Sequence, residues 1–195
     1  MAKPVEFFFD VVSPTAYLAW TQMPALATRS GAEIVWRPFF LGGVMQATGN
    51  RPPGMVAPKG KWMNEDLQRF ARRYGVPFAF NPAFPMNTLP AMRGALHAER
   101  EGMLQPYLDQ LFPAAWVEAR DVGAADVLGD IVAKAGLDPA RFEAAIQSDE
   151  IKSALKANTD EAVERGAFGA PTFFVGNEMF FGQDRLDFVE EAVGA

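Results

Sequence analysis

The chain has 195 residues, of which 49% are hydrophobic, and it contains no cysteine and a single histidine. This length and apolar content can bury a sizeable core, which excludes disorder and suggests one domain, or one domain with a large insertion. The net charge of −6 argues against nucleic-acid and acidic-membrane partners. Without cysteine there is no disulfide and no protein-borne redox pair, and a transition-metal site has few ligands.

The N-terminal residues run directly into a strand pattern with no apolar leader. No window of the sequence approaches the length of apolar residues that a membrane span needs. These features predict a cytoplasmic protein with no membrane partner and with a small molecule as its ligand.

The first elements are a strand and a helix. The apolar run from Phe7 to Val12, interrupted only by Asp10, predicts a strand that is covered on both faces of a mostly parallel sheet. Ser13 and Pro14 suit the N-cap and the first turn of a helix. Residues 34–40 predict a second strand, and therefore a βαβ unit, after which two glycines mark an exit.

The middle of the chain is dominated by helical patterns. Residues 50–60 are too rich in proline and glycine for a regular element and predict a loop. Helices are then expected at 64–74, 88–101, 104–116, 124–135, 139–147 and 149–165.

Strand patterns return at the C-terminal end. Residues 171–175 and 179–181, joined by a glycine-containing turn, predict a hairpin. A last helix is expected from Arg185, with Asp184 as its N-cap and Phe188 beside its sheet-facing stripe. This order of elements predicts an α/β, thioredoxin-like fold with a large all-helical insertion. We expect residues 1–41 and 166–195 to form the thioredoxin-like domain and residues 42–165 to form the inserted helical domain.

Ser13 lies where the first strand turns into the first helix. The free N–H groups and the dipole at a helix start favour an anion, and they lower the pKa of a thiol from its usual ~8.5. The simplest interpretation is that Ser13 only caps the helix. The sequence argues against serine-hydrolase chemistry, because it lacks the G-x-S-x-G elbow and because its single histidine, His97, lies in a predicted helix.

Groups of residues along nearly the whole chain resemble those of the 2-hydroxychromene-2-carboxylate isomerases, a cysteine-less branch of the DsbA-like thioredoxin superfamily related to the kappa-class glutathione transferases. The resemblance rests on Phe9-Asp10 with Ser13-Pro14 and Tyr17-Leu18-Ala19, Arg37-Pro38-Phe39 with Leu41-Gly42-Gly43, Asn50-Arg51-Pro52-Pro53 with Pro58-Lys59, Phe84-Pro85-Met86-Asn87-Thr88 with Arg93, and Gly166 to Thr172 with Gly182-Gln183-Asp184-Arg185. Trp62 and Ala170 depart from the family, where tyrosine and valine are more usual.

The resemblance implies that glutathione supplies the sulfur and that Ser13 donates a hydrogen bond to its thiolate, as an activator and not as a nucleophile. It implies a cis peptide bond between Ala170 and Pro171, whose loop pairs with the cysteinyl backbone of glutathione. The remaining glutathione contacts that it implies are Asn50, Lys59, Gln183 and Asp184. The substrate contacts that it implies are Trp62, Asn87, Thr88 and Arg93.

The resemblance implies an isomerase that interconverts 2-hydroxychromene-2-carboxylate and trans-o-hydroxybenzylidenepyruvate, or a similar aromatic ring-cleavage product, through reversible thiolate addition. It also implies a homodimer and an aromatic carboxylate as substrate, with Arg93 or Lys59 near its charge. A kappa-like glutathione transferase or peroxidase is the first alternative. A non-catalytic thioredoxin-fold binding protein is the second.

Overall fold

The computed structural model describes residues 2–194 and contains one four-stranded sheet. Its strands are β1 (Val5–Phe9), β2 (Ile34–Pro38), β3 (Thr172–Val175) and β4 (Glu178–Phe181), in the order β2-β1-β3-β4. β1 pairs with β2 in parallel, whereas β3 is antiparallel to both of its neighbours. The expectation of a mostly parallel sheet is therefore wrong, because the two-residue turn between β3 and β4 forces an antiparallel pair.

Helices surround this sheet. In the described part of the chain they are α1 (Pro14–Ser30), α2 (Leu41–Thr48), α3 (Ala57–Tyr74), α4 (Leu89–Arg100), α5 (Leu104–Trp116), α6 (Ala125–Lys134), α7 (Pro139–Gln147), α8 (Asp149–Glu164) and α9 (Leu186–Gly194). The predicted α/β, thioredoxin-like fold with a helical segment between β2 and β3 is confirmed. No helix of residues 2–194 is long and apolar enough to cross a membrane.

The two faces of the sheet carry separate groups of buried side chains. Phe7 and Phe9 face α1 and α9, while Phe8 faces α2 and α8, as expected for residues that alternate along a strand. The Phe7 side is continuous with the helical segment, because the rings of Phe9 and Phe112 lie 5.9 Å apart. One core thus crosses the proposed boundary between the two domains, whose division at residues 42 and 165 stays a prediction.

The first strand ends earlier than the sequence predicts. β1 stops at Phe9, and Asp10, Val11 and Val12 form a buried turn before α1. The carboxylate of Asp10 accepts the N–H of Val12 at 3.0 Å, a bond within the turn that competes with strand pairing.

The segment after β2 is more helical than predicted. The two glycines expected to mark an exit, Gly42 and Gly43, lie in α2, where Gly43 packs so closely on Thr159 of α8 that a Cβ would approach it to 3.2 Å. α3 begins at Ala57, seven residues before the predicted start, because Pro58 is compatible with the first turn of a helix. In α2, tertiary packing therefore overrides the glycine content of the segment.

The predicted start of the last helix also needs correction. Asp184 is not an N-cap: it lies within a 3₁₀ turn, residues Gln183–Arg185, that precedes α9. Gly182 begins this turn with a φ of 102°, a conformation that favours glycine. Phe188 is about half exposed and is not part of the buried stripe, which consists of Val189 and Val193.

Candidate active site

Ser13 caps α1, as the sequence predicts. Its backbone is extended, with φ −87° and ψ 116°, and its Oγ accepts the N–H of Ala16 at 3.2 Å. Pro14 occupies the first turn, where its lack of an N–H costs nothing. Only 5% of the Ser13 surface is exposed, so the hydroxyl lies in a recess at the positive end of the helix dipole.

Two hydroxyl groups converge on one carbonyl oxygen beside this recess. The Oγ of Ser13 and the Oγ1 of Thr15 lie 3.1 and 3.0 Å from the carbonyl oxygen of Ala170, and 2.8 Å from each other. The peptide bond between Ala170 and Pro171 is cis, which confirms the expectation from the resemblance. Because Thr15 also donates to this carbonyl, the Ser13 proton is free to turn toward a ligand.

Asp10 is a buried carboxylate directly beneath this corner. Besides the N–H of Val12, it accepts the N–H of Leu41 at 2.9 Å and the hydroxyl of Thr88 at 2.7 Å. Burial raises its pKa from the ordinary 3.8 to about 6, against the lowering effect of these three hydrogen bonds. Asp10 therefore joins the starts of α2 and α4 to the turn that holds Ser13.

Gln183 and Asp184 lie against the cis-proline loop. The N–H of Gly182 donates to the carbonyl of Pro171 at 3.0 Å, which places the 3₁₀ turn beside it. The side chain of Gln183 is buried, and its carbonyl accepts the Tyr74 hydroxyl at 2.8 Å. Burial, together with the nearby charge of Asp184, raises the pKa of Tyr74 to about 12, so this donor stays protonated.

The carboxylate of Asp184 is exposed and pairs with Arg185 at 2.7 Å. Asn50 reaches the same loop from the other side, since its Nδ2 donates to the carbonyl of Phe168 at 2.7 Å. Hydrogen bonds to the cis-proline loop, or of residues next to it in sequence, thus place a set of residues around this loop, which we call the Ser13 cluster. It consists of Ser13, Thr15, Asn50, Ala170, Pro171, Gln183 and Asp184.

Lys59 and Trp62 are not connected to this cluster by any hydrogen bond among the described residues. Both lie on the first two turns of α3 and are exposed, Trp62 to 60%. The opposite end of the same helix, Tyr74, is the end that contacts Gln183. With a rise of 1.5 Å per residue, Lys59 lies roughly 22 Å along the helix from Tyr74.

The predicted substrate residues of α4 are dispersed. Asn87 is exposed and its Oδ1 accepts the N–H of Leu89 at 3.3 Å, which helps to start the helix. Thr88 is 1% exposed and its hydroxyl is bonded to Asp10, so it cannot touch a ligand in this structure. Arg93 lines a cavity between α2, α4 and α8 that no residue of the Ser13 cluster lines. His97 is buried against the ring of Phe142.

Sequence reasoning missed Thr15, Tyr74 and the role of Asp10. Asp10 did leave a signal, because it is the one acidic residue in an otherwise apolar run. Thr15 bonds to Ala170 and Tyr74 bonds to Gln183, each more than 100 positions away, and no local pattern could indicate these two contacts.

The fold and the candidate site define a class: a thioredoxin fold of the DsbA type with a serine at the corner between β1 and α1, in a chain without cysteine. In agreement, the sequence profile of the DSBA-like thioredoxin domain matches residues 4–194. A 2-hydroxychromene-2-carboxylate isomerase of Sphingobium xenophagum is 33% identical over 192 residues, which cover 97% of each chain. The Pseudomonas putida enzyme of the same name is 34% identical and covers 97% of this chain and 94% of its own.

A solved structure of a 2-hydroxychromene-2-carboxylate isomerase superposes with a TM-score of 0.88 at 31% identity, covering 97% of this chain and 94% of that one. Human glutathione S-transferase kappa 1 is 26% identical over all of this chain and 92% of its own. The chain belongs to the 2-hydroxychromene-2-carboxylate isomerase family of DsbA-like thioredoxin-fold proteins.

Proposed function

We propose that this protein is a glutathione-dependent isomerase that interconverts 2-hydroxychromene-2-carboxylate and trans-o-hydroxybenzylidenepyruvate, or a similar aromatic ring-cleavage product. The observation that carries this proposal is the hydroxyl of Ser13 at the start of α1, next to the cis-proline loop, in a chain without cysteine. The names of the relatives at 33–34% identity support the isomerase reaction.

The donor set of the Ser13 cluster suits glutathione, a zwitterionic tripeptide with one thiol. The recess offers the Ser13 hydroxyl and a helix dipole to a sulfur anion. Among the hydrogen bonds of residues 2–194, the N–H of Ala170 has no protein acceptor, so it can pair with a peptide backbone. The exposed carboxylate of Asp184 suits an ammonium group, and Asn50 and Gln183 border the same loop.

Glutathione, when bound, supplies a thiolate that adds reversibly to a conjugated substrate. The protein's part is to keep the sulfur ionised near neutral pH and to orient it. Ser13 can donate its proton to sulfur because its lone pair already binds the Ala16 N–H and because Thr15 holds the Ala170 carbonyl. A hydrogen bond to a charged group contributes about 1.5–3 kcal/mol, which lowers a thiol pKa by about 1–2 units.

The aromatic part of the substrate is proposed to lie against Phe168 and Phe181. Their rings pack 4.5 Å apart, and both are partly exposed beside the cis-proline loop. An exposed aromatic pair next to the thiol position gives an apolar surface for an aromatic ring without moving the backbone. Lys59 and Trp62, which lie outside the Ser13 cluster, are proposed to contribute only weakly. A homodimer and a cytoplasmic location stay predictions from the sequence.

The test is a pH titration of bound glutathione by ultraviolet difference absorbance, which reports the thiolate, in wild-type protein, in Ser13→Ala and in the exposed-site control Ser153→Ala. We expect a bound pKa well below ~8.5 in wild type and control, and a loss of about 1–2 units of that shift in Ser13→Ala. Isomerase activity should fall about ten- to hundredfold in parallel. Glutathione that does not bind, or a pKa unaffected by Ser13→Ala, would leave a non-catalytic binding protein as the better interpretation.

A kappa-type glutathione transferase is the second candidate, and the 26% identity to human glutathione S-transferase kappa 1 favours it. Both activities need the same thiolate, so the titration does not separate them. The fate of glutathione does. An isomerase returns every molecule of glutathione, whereas a transferase consumes one per turnover, and thiol quantification during turnover distinguishes the two.

A further inference from the structure

A cavity of about 570 Å³ lies between α2, α4 and α8, and the proposed function does not use it. Its volume is in the range of cavities that hold small organic molecules.

The cavity is separate from the Ser13 cluster because α2 lies between them. On one face of α2, Leu41 and Met45 belong to the apolar cluster that also includes Val12, the neighbour of Ser13. On the opposite face, Gly43 and Ala47 line the cavity. Side chains that lie about half a turn apart on a helix point in opposite directions. The body of α2 therefore separates a ligand in the cavity from the Ser13 cluster.

Basic side chains line part of the cavity. Arg93 of α4 and Lys152 of α8 are among them, and the Nη1 of Arg93 donates to the carbonyl oxygen of Ile146, near the end of α7, at 3.5 Å. The Arg93 Nε is fully buried and has no hydrogen-bond partner among residues 2–194. The closest carboxylate to the Lys152 ammonium, that of Asp149, is 3.9 Å away and exposed.

The remaining charges lie farther along α8 and are partly paired with one another. The ammonium of Lys156 forms an ion pair with Asp160, one turn later. Among residues 2–194, Arg93 has no ion pair with a carboxylate and Lys152 has only the long contact to the exposed Asp149, in a protein whose net charge is −6. The one hydrogen bond of the Arg93 guanidinium within the described part of the chain is the long contact to Ile146, so an anion that entered the cavity would give its Nη atoms a closer, charged acceptor.

The middle of the cavity is apolar, with the ring of Phe40 and the side chains of Leu89 and Leu155. We propose that this cavity binds an amphipathic organic monocarboxylate, with the carboxylate at Arg93 and Lys152 and the apolar body against Phe40. This ligand site is distinct from the isomerase site, and it does not depend on the proposed function.

The test is isothermal titration calorimetry with phenylbutyrate as probe and its uncharged amide, phenylbutanamide, as the matched ligand. Wild-type protein should bind phenylbutyrate at least about tenfold more tightly than the amide, because one charge-assisted hydrogen bond is worth about that factor. Arg93→Gln should lose about tenfold or more in affinity for phenylbutyrate. The control Arg72→Gln, an exposed arginine of α3, should leave it unchanged.

Ala47→Trp provides a second variant that removes no charge. Ala47 is exposed on α2, so the larger side chain fills the cavity without disturbing the core, and phenylbutyrate binding should be lost. Equal affinity for acid and amide, or wild-type affinity in both Arg93→Gln and Ala47→Trp, would overturn the proposal.

Phenylbutyrate affinity measured in Ser13→Ala, and in wild type with saturating glutathione, distinguishes a failure of this proposal from a failure of the proposed function. Neither the substitution nor glutathione should alter the affinity for phenylbutyrate if the ligand lies between α2, α4 and α8. Competition between glutathione and phenylbutyrate would place the probe in the Ser13 cluster and overturn the separate site. A failure of glutathione to bind would instead count against the isomerase and leave this cavity unaffected.

Discussion

The corner around Ser13 and the start of α3 differ in burial and in hydrogen bonding. Ser13 is almost fully buried and shares hydrogen bonds with Thr15, Ala16 and Ala170. Trp62, on the second turn of α3, is 60% exposed. A group that must hold a thiolate in one position needs a rigid surround, whereas a surface that contacts a varied organic substrate does not.

The comparison extends to the residues beneath each region. Asp10 supports the corner through three hydrogen bonds to two further helices and one turn. The start of α3 rests on a 3₁₀ turn, Pro53–Met55, that contains no buried residue. Substitutions in the corner should therefore have large and specific effects, and substitutions at the start of α3 should have small ones.

The largest expected effect is that of substituting Asp10, the buried residue beneath the corner, on the pH dependence of stability. The pKa of Asp10 is 3.8 when unfolded and about 6 when folded, so between these values the folded state binds more protons. The contribution of Asp10 to stability is therefore greatest below about pH 4 and decreases by about 3 kcal/mol as the pH rises through 6. Asp10→Asn should abolish this pH dependence, as measured by urea unfolding between about pH 4 and about pH 7.

The exposed Asp109→Asn serves as the control for this experiment and should keep the wild-type pH dependence. If Asp10→Asn and wild type showed the same dependence on pH, Asp10 would not be the buried titrating group. In that case Asp10 would contribute no more to the stability of the corner than the 3₁₀ turn contributes to the start of α3.

Thr15→Val tests the second hydroxyl of the corner. Without the Thr15 hydroxyl, Ser13 alone must donate to the carbonyl of Ala170, and its proton is less available to sulfur. The pKa of bound glutathione should rise by about 1 unit, which corresponds to about 1.4 kcal/mol. Thr15→Ser keeps the hydroxyl and should restore the low pKa, whereas an unchanged pKa in Thr15→Val would assign no such role to Thr15.

Asp184→Asn should have a moderate effect, because this carboxylate is at the edge of the corner and exposed. An exposed ion pair contributes about 0.2–1 kcal/mol, so glutathione affinity should fall about two- to fivefold while kcat stays near its wild-type value. Asp187→Asn, an exposed acidic residue one position into α9, provides the matched control. Equal losses in both variants would indicate a general effect of charge and not a contact.

Lys59→Gln should have the smallest effect. Lys59 is exposed on the first turn of α3, so we expect a change in stability within about 0.5 kcal/mol and a change in KM below about threefold. Lys61→Gln, on the same helix, is the control. A tenfold rise in KM for Lys59→Gln alone would show that this end of α3 reaches the bound ligand, and the contrast between the two regions would then be wrong.

Much of the fold could be predicted from sequence. The strand, cap and helix around Ser13 depend on neighbouring residues, since Pro14 fits a first turn and Ser13 bonds to Ala16 three positions later. The hairpin of β3 and β4 likewise has its turn, Gly176-Asn177, in the local sequence. The start of α3 could not be predicted in this way, because its proline- and glycine-rich composition is equally typical of a loop.

The residues of the candidate site also differ in how far the sequence predicts their position. Ser13, Asn50, Gln183 and Asp184 were recognised from motifs, and the structure brings them together at the cis-proline loop. Thr88 and Arg93 come from a motif of the same kind, but the structure buries the first beneath the corner and turns the second toward another cavity.

Residue types and short spacings are enough to show that the chain is an α/β protein with a hydroxyl at a helix start and with no thiol of its own. The packed fold is needed to show which hydroxyls share the Ala170 carbonyl, which distant groups the Asp10 carboxylate bonds and which cavity Arg93 lines. Those contacts join residues 31 to 157 positions apart, or helices that meet only through packing. Their geometry depends on how the helices pack against the sheet, which no local pattern encodes.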